Sequence, residues 1–222
     1  MAIAYTTSTS FAEGNGTSVA TVSKPASTAV GDVLIAQLYI ENNGEACTIA
    51  STGDTWTLVH DHVNTTTTPD TYQHVWICVV ANTSSTIGVT WGGGSFWRDF
   101  AVHRFTGVDT TTPQDATATE NTGSSTTPTS LSITTATDNA FLVACHASFD
   151  GFAQSGWTSP LVEGNDSGNI SMASGAQAAA GASGNKTSTQ TSGVWVAIML
   201  ALRPAAGAAN KRRYTLTTLG VG

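Results

Sequence analysis

The chain has 222 residues, 40% hydrophobic and only 10% charged, with a formal net charge of −7; an average soluble domain is about 25% charged. Thr (38) and Ser (22) fill the gap beside 22 Gly; Thr suits pleated strands and Ser and Gly suit turns, while three Lys, five Arg and five Glu cannot build long amphipathic helices, so a helical bundle or coiled coil is excluded. The negative charge argues against a nucleic-acid partner, and no run of about 18 apolar residues could span a bilayer as a helix.

In chain order, the N-terminus MAIAYTTSTSF lacks the basic and apolar regions of a secretory signal, which predicts synthesis in a cytoplasm. Strong strands are predicted over 33–40 (VLIAQLYI), 72–80 (YQHVWICVV), 96–105 (FWRDFAVHRF), 141–148 (FLVACHAS) and 194–202 (VWVAIMLAL), each bounded by Gly, Asn, Asp or Thr clusters. The last has no clear period, but Gly193 and Pro204 bound it at about ten residues and its Val-Trp-Val opening favours a strand. Weaker strands are predicted over 55–62, 87–91, 131–134, 157–163 and 170–177.

The most informative feature is an internal echo. The first half reads GDVLIAQLYIEN, GDTWTLVHD, YQHVWICVV, FWRDFAVHRFTGVD; the second reads DNAFLVACHASFD, SGWTSPLVEG, ISMASGAQAAA, GVWVAIMLALRP. Trp56 corresponds to Trp157 and Trp97 to Trp195. The polar segment 106–129 between the halves reads as a crossover. Strands apolar at nearly every position belong at the centre of one shared core. The expectation is therefore an all-β chain: a single antiparallel β-sandwich, jelly-roll-like, over 1–205, built from two pseudo-repeated halves that interleave.

After Pro204 the character changes. A small-residue linker, AAGAAN, leads to KRRYTLTTLGVG, so 206–222 is expected to be an extended linker and basic attachment tail. Lys211, Arg212 and Arg213 could pair with acidic surface on a neighbour, while Tyr214, Leu216 and Leu219 could add to a neighbour's sheet edge.

The sequence offers little chemistry. His60 and His62 fall on one face of a strand, but no further ligands follow at metal-site spacing, so no metal and no cofactor are expected. The five Glu are isolated and give no glycosidase pair, and there is no nucleophile elbow and no phosphate loop. No catalytic residue is expected, and the chain reads as a non-enzyme. The strand tryptophans read as core; Trp91, beside Gly92–Gly94, sits in an exposed-looking loop and is the candidate glycan contact. Cys78 and Cys145 read as buried thiols and Cys47 as the one cysteine available for an intersubunit contact. Few lysines guard strand edges, which predicts self-association, as a trimer.

The series GDVLIAQLYI, DTWTLV, FAVHRFTGVDTTTPQDA, DNAFLVACHAS, SGWTSP and VWVAIMLALRP, over residues 19–205, resembles phage and prophage virion proteins with concanavalin-like or jelly-roll domains. That resemblance implies a capsid decoration, head-fibre or tail-associated subunit on the virion surface, binding itself and other virion proteins. The alternative is a carbohydrate-binding module or adhesin for host-surface glycans.

Overall fold

The computed structural model describes residues 2–16, 19–41, 47–66, 70–84, 86–91, 96–149 and 154–207. The first half forms β1 (Ala4–Gly16), β2 (Val19–Val22), β3 (Val33–Glu41), β4 (Thr48–Ser51), β5 (Thr55–Asn64), β6 (Thr71–Val79), β7 (Ile87–Thr90) and β8 (Phe96–Thr106). The second forms β9 (Gln114–Ser125), β10 (Thr129–Ser130), β11 (Thr134–Thr135), β12 (Ala140–Ser148), β13 (Val162–Ser167), β14 (Ile170–Gln177), β15 (Gly181–Ala182), β16 (Lys186–Thr187) and β17 (Gly193–Leu202). The fold is an antiparallel β-sandwich, as expected.

The halves do not interleave. Each builds one whole five-stranded sheet, ordered β1-β8-β3-β6-β5 in the first and β9-β17-β12-β14-β13 in the second. Matched through the echo, β1 corresponds to β9, β3 to β12, β5 to β13, β6 to β14 and β8 to β17, so the two orders are the same. The sheets pack face to face in opposite senses, with β1 against β13 along one flank and β5 against β9 along the other. This is the arrangement a pseudo-two-fold axis between the halves produces.

Burial on both faces explains the continuous apolar runs. In β3, Val33 and Ile35 face the other sheet with Val143, Cys145, Ile198 and Leu200. Their neighbours Leu34, Ala36, Leu38 and Ile40 face outward, beneath the small sheet β2-β7-β4. The second half repeats this plan: Leu142, Ala144, Met199 and Ala201 lie on its outer face with Ile133 and Leu161. Trp56 and Trp157 each pack on the outer cluster of their own half, so that pairing of tryptophans holds.

Polar rivets cross between the sheets. The Gln37 amide donates to the His146 carbonyl at 2.7 Å, Tyr5 Oη donates to the Gly164 carbonyl at 2.7 Å, and the Asn64 amide donates to the carbonyls of Gly123 and Trp195. A buried hydrogen bond is costly to leave unmade, so these contacts fix how the sheets register as well as holding them.

Three expectations are corrected. Segment 106–129 is not all crossover: it holds β9, a 12-residue edge strand. The Trp97/Trp195 echo slips by one residue. Trp97 is in phase with Phe105 of the inner core, whereas Trp195 is in phase with Met199 and Ala201 of the outer one. Trp97 is consequently 44% exposed while Trp195 is buried. Finally, Lys24 and Lys186 are both buried and guard no edge, yet β1, β5, β9 and β13 each carry a register irregularity. Bulges protect sheet edges as lysines do, so the missing lysines are a weaker sign of association than they looked.

Candidate functional site

Trp91 is not a glycan platform. It is only 3% exposed and belongs to the outer core cluster of the first half. The Arg98 guanidinium stands 4.4 Å from its ring centroid, a cation–π contact that covers the ring face a sugar would need. Strand β8 supplies Arg98 because its outward-facing residues run beneath the β2-β7-β4 layer. The exposed indole at this end is Trp97. Glycines 92–94, the attachment residues Lys211, Arg212, Arg213, Tyr214, Leu216 and Leu219, and the linker beyond Gly207 lie outside the described residues. Cys47 is half-buried at the outer cluster of the first half, and all three cysteines are free thiols. Burial pushes the Cys78 thiol up to about 12, so it serves as packing.

The fold brings His60 and His62 of β5 to Glu120 of β9. One carboxylate oxygen lies 2.5 Å from His60 Nε2 and 3.1 Å from His62 Nδ1. The sequence paired the two histidines but could not supply Glu120, which comes from the other half. Glu120 works as an ion-pair latch across the β5/β9 flank; among the described residues no group of three or more His, Cys, Asp or Glu is disposed to hold a metal.

A second constellation has the connectivity of a catalytic triad. Ser130 Oγ and His146 Nε2 are 2.7 Å apart, and His146 Nδ1 is 2.7 Å from Gln154 Oε1. Because Gln154 Oε1 can only accept, Nδ1 carries the proton and Nε2 accepts from the serine. The Ser188 hydroxyl donates to Gln154 Oε1 and the Gln154 amide donates to Gln190 Oε1. Trp157 lies against the imidazole at 4.5 Å. Burial holds the imidazole at about 4, so it stays neutral; the Gln154 hydrogen bond offsets this only in part. Ser130 and His146 are wholly buried, with an amide where a triad has its carboxylate. Nothing orients a substrate there, and the network reads as the rivet that holds the outer layer to β12.

The signature that carries the family resemblance is also structural. The loop GVDTTTPQDA wraps around Arg203 of the closing LRP. Asp109 N donates to the Arg203 carbonyl, Arg203 N donates to the Pro113 carbonyl, and Val108 bridges to Pro204. The Arg203 guanidinium reaches Asp115 Oδ1 at 3.4 Å and the Thr112 hydroxyl at 3.1 Å. Burial pushes the Asp115 carboxyl up, but the Thr137 hydroxyl, the Ala136 and Thr137 amides and Arg203 outweigh it and hold it low. Asp32 of the GD turn likewise accepts from Arg104 and from the Ala29 amide. These motifs clasp the ends of the sheets.

Two surface grooves remain, one on each flank. One lies among the starts of β1 and β13 and the end of β14; the other lies among the ends of β5 and β6 and the turn before β9. The class defined by this geometry is an all-β sandwich whose motif residues hold the fold. Comparison with protein-family models, with curated proteins and with solved structures found no match.

Proposed function

We propose that the chain is a non-enzymatic structural protein of a bacteriophage virion: a capsid decoration, head-fibre or tail-associated subunit that associates with itself, as a trimer, and with other virion proteins at the particle surface. The observation that carries this reading is the clasp of GVDTTTPQDA around Arg203. The signature shared with virion proteins is spent on closing the sandwich, which suits a protein used for its shape and surface. The sealed Ser130–His146 pair supports binding over catalysis. A low-charge, threonine-rich exterior suits packing against neighbours without long-range charge steering. The test is quantitative protein analysis of purified particles from a host that makes the protein, together with sedimentation of the pure chain. A fixed copy number per particle and a trimer are expected; absence from particles, or a monomer at high concentration, would refute the corresponding part.

A second reading, a host-glycan binder, is favoured by Trp97, whose half-exposed indole offers a stacking face. Glycan-array binding that Trp97→Ala abolishes would support it.

A further inference from the structure

The two flank grooves occupy corresponding places in the repeat, yet their linings differ. The β1/β13 groove has a volume of about 440 Å³ and is walled by Ile3, Tyr5, Phe141, Pro160, Val162 and Glu163. The β5/β9 groove, about 290 Å³, presents Thr55, Thr57, Thr110 and Thr111 in the equivalent walls. The fold accepts a threonine-lined surface here, so the repeat itself does not demand the apolar lining. Val162 is 71% exposed on an edge strand, where a threonine would cost nothing. An apolar groove kept against water in only one of two equivalent places calls for an occupant.

The chain leaves the described structure at the rim of this groove. Ala205 N donates to the Gly107 carbonyl at 3.0 Å. Gly107, at φ +75°, lies so close to the N-terminal strand that a Cβ there would stand 2.4 Å from the Ala2 carbonyl oxygen. Ile3, the next residue, lines the groove. Tyr214 follows Gly207 by seven residues, up to about 23 Å of extended chain, which is ample for a groove that begins beside the exit. The segment has the matching chemistry: Tyr214 and Leu216 two apart, preceded by Lys211, Arg212 and Arg213, against an apolar groove that carries Glu163, with Asp166 further along the same strand.

We propose that the β1/β13 groove is the receptor for the chain's own residues 208–222, with Tyr214 and Leu216 against its apolar walls and the basic residues beside Glu163. Tethering sets the choice of occupant. A short flexible linker gives an effective concentration of order millimolar, so the chain's own segment outcompetes the same segment of a neighbour at ordinary protein concentrations. The tail then rests on its parent sandwich, where the sequence by itself pointed to a neighbour's sheet edge. This inference is independent of the virion reading.

The test uses the full-length chain in a Cys47→Ser background, since Cys78 and Cys145 are buried. Val162→Cys is paired in turn with Tyr214→Cys and Leu216→Cys, and Thr57→Cys on the threonine flank is paired with the same two. Under mild oxidation the Val162 pairs are expected to form an intramolecular disulfide, at least tenfold faster than the Thr57 pairs. Separately, Tyr214→Asp/Leu216→Asp is expected to raise binding of an apolar fluorescent dye severalfold, and adding Val162→Asp should return it to the starting level. Cross-links found only between chains, equal rates on the two flanks, or dye binding unchanged by the tail substitutions would each overturn the proposal.

Discussion

His103 and His146 show how differently one residue type can be buried. Both are wholly inaccessible. Each nitrogen of His146 has a partner, whereas neither nitrogen of His103 has a protein partner. Removing one member of a satisfied pair strands the other, while replacing an unsatisfied group by an apolar one of similar size removes a desolvation penalty. Ser130→Ala should therefore cost about 1–3 kcal/mol, and His103→Leu should be neutral or stabilising, both read from urea unfolding at pH 7.5. Burial holds the two imidazoles at about 3 for His103 and about 4 for His146. The folded protein keeps both neutral while the unfolded chain takes up protons below about 6.5. Their contribution to stability is therefore complete above pH 6.5 and lost progressively as pH falls towards 4. The urea midpoint should drop between pH 7.5 and 5, and His103→Leu should flatten part of that drop. An unchanged slope in His103→Leu would mean that His103 is protonated in the fold.

At the scale of elements, the edge strand β9 is held by contacts that a side chain would spoil. Gly123 faces Trp195 across the β9/β17 ladder, and a Cβ there would lie 2.5 Å from the indole. Gly123 also gives its carbonyl to Asn64 of the opposite sheet. Gly123→Ala should force the ring aside at a cost of about 1–3 kcal/mol, with faster amide exchange in β9 than in β12. Uniform exchange across both strands would show that the clash is absorbed without loosening the edge. Strand β9 also marks where legibility ended. Strands β3, β6, β12 and β17 were readable because both faces are buried, which leaves long apolar runs. Strand β9, QDATATENTGSS, is half-exposed along most of its length, so its Thr-rich pattern looked like a connection, and β1 escaped notice for the same reason. The candidate sites were less legible still. Glu120 meets His60 and His62 only through the flank contact between halves. Trp91 looked exposed beside its glycines because nothing nearby in sequence announces the Arg98 that covers it.

For the molecule as a whole, the repeat organises the chain into two sheets, each with its own outer cover, that share one inner core. Ile35, Val75, Ile77 and Phe105 from the first half meet Val143, Met172, Ile198 and Leu200 from the second there. Neither half can bury those side chains alone. Each fully buried aliphatic side chain is worth about 1.5–3 kcal/mol, so exposing one such face costs more than the 5–15 kcal/mol by which a domain is stable. The connection between the halves is slight by comparison: residues 110–112 are exposed, in the loop whose residue Asp109 caps the Thr111 and Thr112 amides. Cutting there removes no strand. Fragments 1–111 and 112–222 should therefore each be unfolded or aggregated when produced alone, and should form a soluble one-to-one complex with native-like near-UV circular dichroism when refolded together. The rivets from Gln37, Asn64 and Tyr5 would supply the register of the two sheets in that complex, so Asn64→Ala should weaken reassembly more than it weakens the intact chain, in which the connection already keeps the sheets together. A first-half fragment that folds cooperatively by itself would show that the inner core is dispensable to each sheet, and that the two halves are domains in their own right.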